Sequence, residues 1–236
     1  MVYARTLDGA VLDFGHSGQL YRSAYLLYDT GTNSLWHNAT GRALVGKMRG
    51  RRLEPIPSRF VRWDVWKTAY PATRVLAKDP ANPLHARDVY RDRNLALKLA
   101  AGLGVRAGGE DRLYEFPDLD RTPLVQERVG GVPVAVFWHG PTQTAVAWER
   151  TLDGKVLDLR RAADGEGGRP RLEETGEARS VFDAMTGEAV EGPRAGKRLA
   201  PVLSSHWEVY AWMAHHRTGS TYRAAVPPPE ELPEVK

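Results

Sequence analysis

The sequence has no cysteine among its 236 residues, which excludes disulfides, thiolate zinc sites, iron–sulfur clusters and a cysteine nucleophile. Long apolar runs are also missing: stretches such as Val134–Trp138 fall far short of the ~20 residues that span a bilayer. No secretory leader is expected at Met1, because Met1-Val2-Tyr3-Ala4-Arg5 runs straight into a strand-like pattern. Read from Met1, the protein is expected in the cytoplasm, and exported if its true start lies upstream. An excess of one charge is scarcely present. The 33 Lys and Arg against 29 Asp and Glu leave +4, and 26 of the 33 are Arg. This balance carries no nucleic-acid signature, and the local cluster Arg49-Gly50-Arg51-Arg52 falls at an expected turn. Missing too are a His-Glu-x-x-His helix, a P-loop, a dinucleotide fingerprint and a Gly-x-Ser-x-Gly elbow. The adjacent pair His215-His216 would lie about 100° apart on a helix and so could not share a ligand face.

What the chain does contain is itself, twice. Arg5-Thr6-Leu7-Asp8-Gly9-Ala10-Val11-Leu12-Asp13 returns as Arg150-Thr151-Leu152-Asp153-Gly154-Lys155-Val156-Leu157-Asp158, identical at eight of nine positions. Thr40-Gly41 and Gly46 return as Thr186-Gly187 and Gly192, Gly50 to Pro55 as Gly196 to Pro201, and Trp66 as Trp212. The offset is 145 at first and 146 later, so one inserted residue accounts for the register.

The shared residues are mostly turn formers. Asp-Gly between short strand-like runs signals a type I′ hairpin, since both turn positions need positive φ. Further short strands at Tyr25–Asp29 and Ser34–His37 are punctuated by Thr30-Gly31-Thr32-Asn33, Thr40-Gly41 and Gly50. Each copy closes on a short helix. Arg62–Tyr70 ends at Pro71, with Trp63 and Trp66 on one packing face, and Ser205 with Glu208 has capping-box spacing ahead of Val209, Trp212 and Met213. Between the copies, Pro80–His85 reads as a linker and Asn94–Ala101 as a helix stopped by Gly102 and Gly104, while Arg112–Phe116 and Val132–Trp138 read as strands. Arg160–Gly176, with five Gly or Pro among many charges, reads as a mobile surface loop. The expected fold is mainly β with a minor α+β character. It has two similar β-meander lobes, each capped by a short helix and related by a pseudo-two-fold. Residues 1–80 form the first repeat, 81–130 a connecting segment, 131–224 a second, degenerate repeat, and 225–236 a disordered tail.

Phe14-Gly15-His16-Ser17-Gly18-Gln19-Leu20, then Tyr28-Asp29, Ser34-Leu35-Trp36, Thr40-Gly41 and Gly46 resemble, in this order, the domain of unknown function 3179 family. Gly50, Leu53, Trp63, Trp66 and Pro71 fit the same pattern. The resemblance covers Val2–Leu76 well and Gly130–Tyr222 more loosely, and it implies no established activity. Family members often look exported or membrane-tethered and commonly carry a Cys-Pro-Leu-Cys-like segment before the first hairpin strand. In the second repeat that place holds His139-Gly140-Pro141-Thr142, with His139 and Thr142 where the cysteines would stand. His139 is thereby a weak metal candidate. In the first repeat the segment would precede Met1. Val132–Trp138, which should pair with the second hairpin, likewise has no counterpart there. The first sheet would then expose an edge; either the chain starts late or a strand-supplying partner covers this N-terminal edge.

Residues common to both copies serve the fold. Polar residues that match the family in the first copy and are lost from the second are candidate ligand-binding residues: His16, Ser17, Ser23, Asp29 and Trp36. The sequence names no cofactor and no other partner. The expected function is non-catalytic binding of a small ligand, metal ion or partner protein through the first repeat. The alternative is an enzyme, metal-dependent or not, with a pocket around His16, Ser17 and Asp29.

Overall fold

Both Asp-Gly pairs make the tight turns their sequence demands: Asp8 and Gly9 have φ of 50° and 80°, Asp153 and Gly154 of 53° and 74°. The structure is a computed structural model that describes residues 1–22, 24–59, 61–75, 101–176 and 179–225. The linker read at Pro80–His85, most of the helix read at Asn94–Ala101, and the tail from Val226 lie outside the described residues.

The first lobe begins with β1 (Val2–Tyr3) and the hairpin β2 (Thr6–Leu7) and β3 (Ala10–Val11). A four-stranded antiparallel meander follows, in the order β4 (Phe14–Tyr21), β5 (Ala24–Asp29), β6 (Leu35–His37) and β7 (Ala43–Val45). β8 (Pro55–Ile56) then returns to pair with β1, and α1 (Trp63–Ala69) comes next.

The middle of the chain is β9 (Ala101–Ala107), β10 (Glu110–Glu115), α2 (Phe116–Arg121), β11 (Leu124–Val129) and β12 (Val132–His139). β13 (Thr144–Glu149) pairs with β12 and leads into the second lobe. There the hairpin β14 (Thr151–Leu152) and β15 (Lys155–Val156) precedes a second meander, β16 (Leu159–Gly165), β17 (Arg169–Glu174), β18 (Val181–Asp183) and β19 (Ala189–Glu191). β20 (Leu203–Glu208), α3 (Val209–His215) and β21 (Ser220–Tyr222) close the described chain, β20 and β21 flanking β9 and β10 in one central sheet. The fold is mainly β.

The two lobes share backbone bonds at equivalent places. The Ala4 N–H donates to the Glu54 carbonyl as Glu149 donates to Ala200, and Leu53 donates to Gly41 as Leu199 donates to Gly187, all at 2.9 Å. The segments leaving the lobes cross at equivalent residues, where the Ser58 N–H donates to the Ser204 carbonyl at 3.0 Å. Beyond this crossing each helix packs on the opposite lobe. Val61 and Val65 of the α1 segment lie against the second-lobe core, and the Arg59 guanidinium sits 4.6 Å from the Trp148 ring centroid and donates to the Met185 carbonyl. Conversely Trp207 and Trp212 join Ala39 and Ala24 of the first lobe, and His215 meets His37 at 4.8 Å between rings.

Four sequence expectations are corrected. Arg160–Gly176 is not a loop but the hairpin β16–β17, whose charges ladder on its solvent face as Arg160–Glu173 and, on to β19, Arg171–Glu191, each at 2.7 Å, while Leu172 alternates inward to full burial. Gly102 and Gly104 do not stop a helix; they lie inside β9. At Gly104 a Cβ would stand 2.1 Å from the Trp212 ring, so glycine is what lets α3 dock. Ser205 and Glu208 form no capping box, because both pair with β9 and the Ser205 hydroxyl accepts the Trp207 indole N–H. Trp63 does not share a buried face with Trp66. It is exposed, and α1 buries no residue of its own.

Trp212 is therefore the anchor of the exchanged α3. Trp212→Ala is expected to cost about 3–5 kcal/mol in chemical denaturation. Burial lowers the His37 and His215 pKa values below the ordinary 6.5, each helped by the Arg22 charge and a neighbouring histidine and opposed by a backbone carbonyl. The unfolded chain then binds more protons, so stability is full above 6.5 and falls as pH drops below it. Melting temperature is expected to fall between about pH 7 and about pH 5, and His215→Gln should flatten that slope.

Candidate functional site

The alternation of β12 determines what each lobe encloses. Ala135 and Phe137 point to one side and complete the second-lobe core with Val146, Trp148, Leu159, Leu172, Phe182 and Leu199. Val134, Val136 and Trp138 point to the other side and join β9, β10 and α2. The first lobe places equivalent residues in the equivalent wall: Met1, Tyr3, Phe14, Leu27, Trp36 and Leu53. No described strand lies beside β1 where β12 lies beside β13. The result is a cavity of about 210 Å³ lined by these six residues together with Arg5, His37, Asn38 and Gly41.

Exposure follows the same contrast. Val146 and Trp148 are each 1% exposed and Leu172 is fully buried, whereas their counterparts Met1, Tyr3 and Leu27 are exposed or half-buried. Asn38 Oδ1 and the Tyr3 hydroxyl are buried with no hydrogen-bond partner. Burial pushes the Tyr3 phenol up to about 12 against the pull of Arg52 and Arg106. The Tyr3 ring also packs over Gly41, as Trp148 packs over Gly187 in the second lobe.

Trp36, one of the sequence candidates, forms part of this wall and is 1% exposed. Asp29 holds it there. The carboxylate accepts the Trp36 indole N–H at 2.9 Å, the Thr32 hydroxyl at 2.8 Å and the Thr32 N–H at 2.5 Å. Burial alone would raise its pKa, but these donated bonds outweigh it and lower it below the usual 3.8. In the second lobe Glu174 stands in place of Asp29 and pairs with Arg194 at 3.0 Å, while Phe182 stands in place of Trp36. Asp29 is thus a brace behind the wall. His16 and Ser17 are placed elsewhere. His16 is exposed against Tyr25, its Nδ1 accepting the Gly18 N–H, and Ser17 donates to the Leu26 carbonyl at 2.6 Å. Ser23 lies outside the described residues.

His139 is buried at the end of β12, its Nδ1 2.8 Å from the Thr142 hydroxyl and its Nε2 3.6 Å from Asp164. Among the described residues no three His, Asp or Glu side chains are grouped to hold a metal ion.

A second cluster was not read from the sequence. Asp111 accepts Arg106 at 2.6 Å and meets His216 Nδ1 at 2.8 Å, while His216 stacks on Trp212 at 3.8 Å. Burial alone would raise the Asp111 pKa, but these partners hold it far below the usual carboxylate range. The cavity beside it is about 20 Å³, room for a water molecule. The cluster therefore ties β9, β10 and α3 together. Only its i, i+5 spacing from Arg106 to Asp111 could have flagged it, and that spacing is common to many hairpins.

The fold is thus mainly β, with a cavity beside β1 where no described strand takes the place that β12 takes beside β13. Residues 1–94, which include the first lobe, are similar to the family model described as Protein of unknown function (DUF3179). No curated protein and no solved structure matches the chain. Among the described residues no helix is long and apolar enough to cross a membrane.

Removing the Asp29 carboxylate leaves the Trp36 and Thr32 donors unpaired in the interior. Asp29→Ala is expected to cost about 2–4 kcal/mol in urea denaturation. Adding Trp36→Phe, the solution the second lobe uses, should recover part of that loss; strict additivity of the two changes would contradict the bracing role.

Proposed function

We propose that the protein is a binding module that acts through its first lobe, and that its two lobes are copies of one module of which the second has its groove filled. The observation that carries this reading is the 210 Å³ cavity at the place where Ala135 and Phe137 fill the second lobe. A concave, mainly apolar wall with a few unmet polar groups is the common form of a ligand site. Met1, Phe14 and Leu27 supply the apolar surface, Trp36 closes the wall behind them, and Asp29 positions Trp36. The enzyme reading around His16, Ser17 and Asp29 draws no support from their placement, since His16 is exposed, Ser17 is bonded to backbone and Asp29 is engaged behind the wall.

The test is binding of the apolar dye anilinonaphthalene sulfonate to the folded chain. Wild type is expected to bind saturably, and Leu27→Trp, which fills the cavity, should weaken binding at least about tenfold with an unchanged circular dichroism spectrum. Equal binding by both proteins would overturn the reading.

A further inference from the structure

We infer that the occupant of the first lobe is an extended polypeptide strand supplied by a partner chain. It adds antiparallel to the free edge of β1 and places a small and then a large apolar side chain, two residues apart, in the cavity. This rests on the reading of the cavity as a binding site and names its ligand class.

The second lobe shows the arrangement. β12 runs antiparallel to β13, with Ala135 opposite Trp148 and Phe137 opposite Val146. The Arg150 N–H donates to the Pro133 carbonyl at 2.9 Å. Hydrogen-bonded pairs recur every second residue in an antiparallel ladder, so Trp148 and Ala135 form the next one. In the first lobe the equivalents of Val146, Trp148 and Arg150 are Met1, Tyr3 and Arg5. The Ala4 N–H is taken by Glu54 on β8, which turns the Tyr3 and Arg5 N–H groups to the opposite side. No described residue bonds to them there. An unpaired strand edge beside an apolar cavity is what strand addition requires: main-chain bonds give affinity and the alternate side chains give specificity. The edge and the cavity lie side by side on Met1, Tyr3 and Arg5, so one extended segment meets both needs at once. A compact apolar molecule would fill the cavity and leave the edge unpaired.

The test uses the full chain and a labelled synthetic peptide with the sequence of Val132–His139, followed by fluorescence anisotropy and by amide hydrogen exchange. The peptide is expected to bind saturably and to slow exchange at Tyr3 and Arg5. Two altered peptides, one carrying Phe137→Asp and one N-methylated at the Ala135 position, should each bind at least about tenfold more weakly. Equal binding of all three peptides would overturn the inference, as would a dimer in solution whose Tyr3 and Arg5 amides are protected before any peptide is added. If the dye binds wild type and not Leu27→Trp while the peptide fails, the strand is wrong and the cavity reading stands. If the dye fails as well, both fall.

Discussion

The structure depends on the burial of one strand from both sides. Every residue of β12 from Pro133 to His139 is buried, with Ala135 and Phe137 in the second-lobe core and Val134, Val136 and Trp138 in the core of the central sheet. A strand in that position joins two apolar clusters through a single backbone, so neither can loosen without the other. The unbroken apolar run Val134–Trp138 is the sequence form of this constraint, since a one-sided strand would have alternated. The first lobe has the same wall and lacks the equivalent strand among the described residues, and its cavity, half-buried wall and unpaired β1 edge all follow from that one difference.

Polar groups fix the rest. Asp29 closes the Thr30–Ser34 turn while aiming Trp36, and Asp111 gathers Arg106 and His216 from separate segments. The second lobe reaches the same geometry with the ion pair Glu174–Arg194 and an indole-free Phe182. Two lobes with the same pairings thus hold different chemistry behind the wall: the Trp36 and Thr32 donors on Asp29 in one, the Arg194 guanidinium on Glu174 in the other.

Much of the fold was legible where local chemistry decides it. The Asp-Gly turns, the short strands around them, the buried Val132–Trp138 strand and the helix ending before Pro71 follow from turn chemistry and periodicity. The misread segments are those where tertiary partners decide. Charges in Arg160–Gly176 look like a loop until Glu173 and Glu191 are seen across the ladder, and Gly104 looks like a stop until Trp212 is seen against it. Of the site residues, Trp36 could be singled out from the sequence because the second repeat lacks it. The open edge of the first lobe was legible too, since Val132–Trp138 has no counterpart ahead of the first hairpin; the cavity beside that edge was not, because its wall gathers residues from Met1 to Leu53 that no local pattern brings together. The pairing of each helix with the opposite lobe was hidden for the same reason.

The crossing at Ser58 and Ser204 bears on how the chain comes to be folded as it is made. The first meander is complete by Ile56, yet the surface that α1 covers is built from residues far later in the chain, and the helix that covers the first lobe is among the last elements of the described chain. The amino-terminal half therefore leaves synthesis before the chain that covers it, and α1 before the surface on which it packs. Contacts of such long sequence separation slow folding.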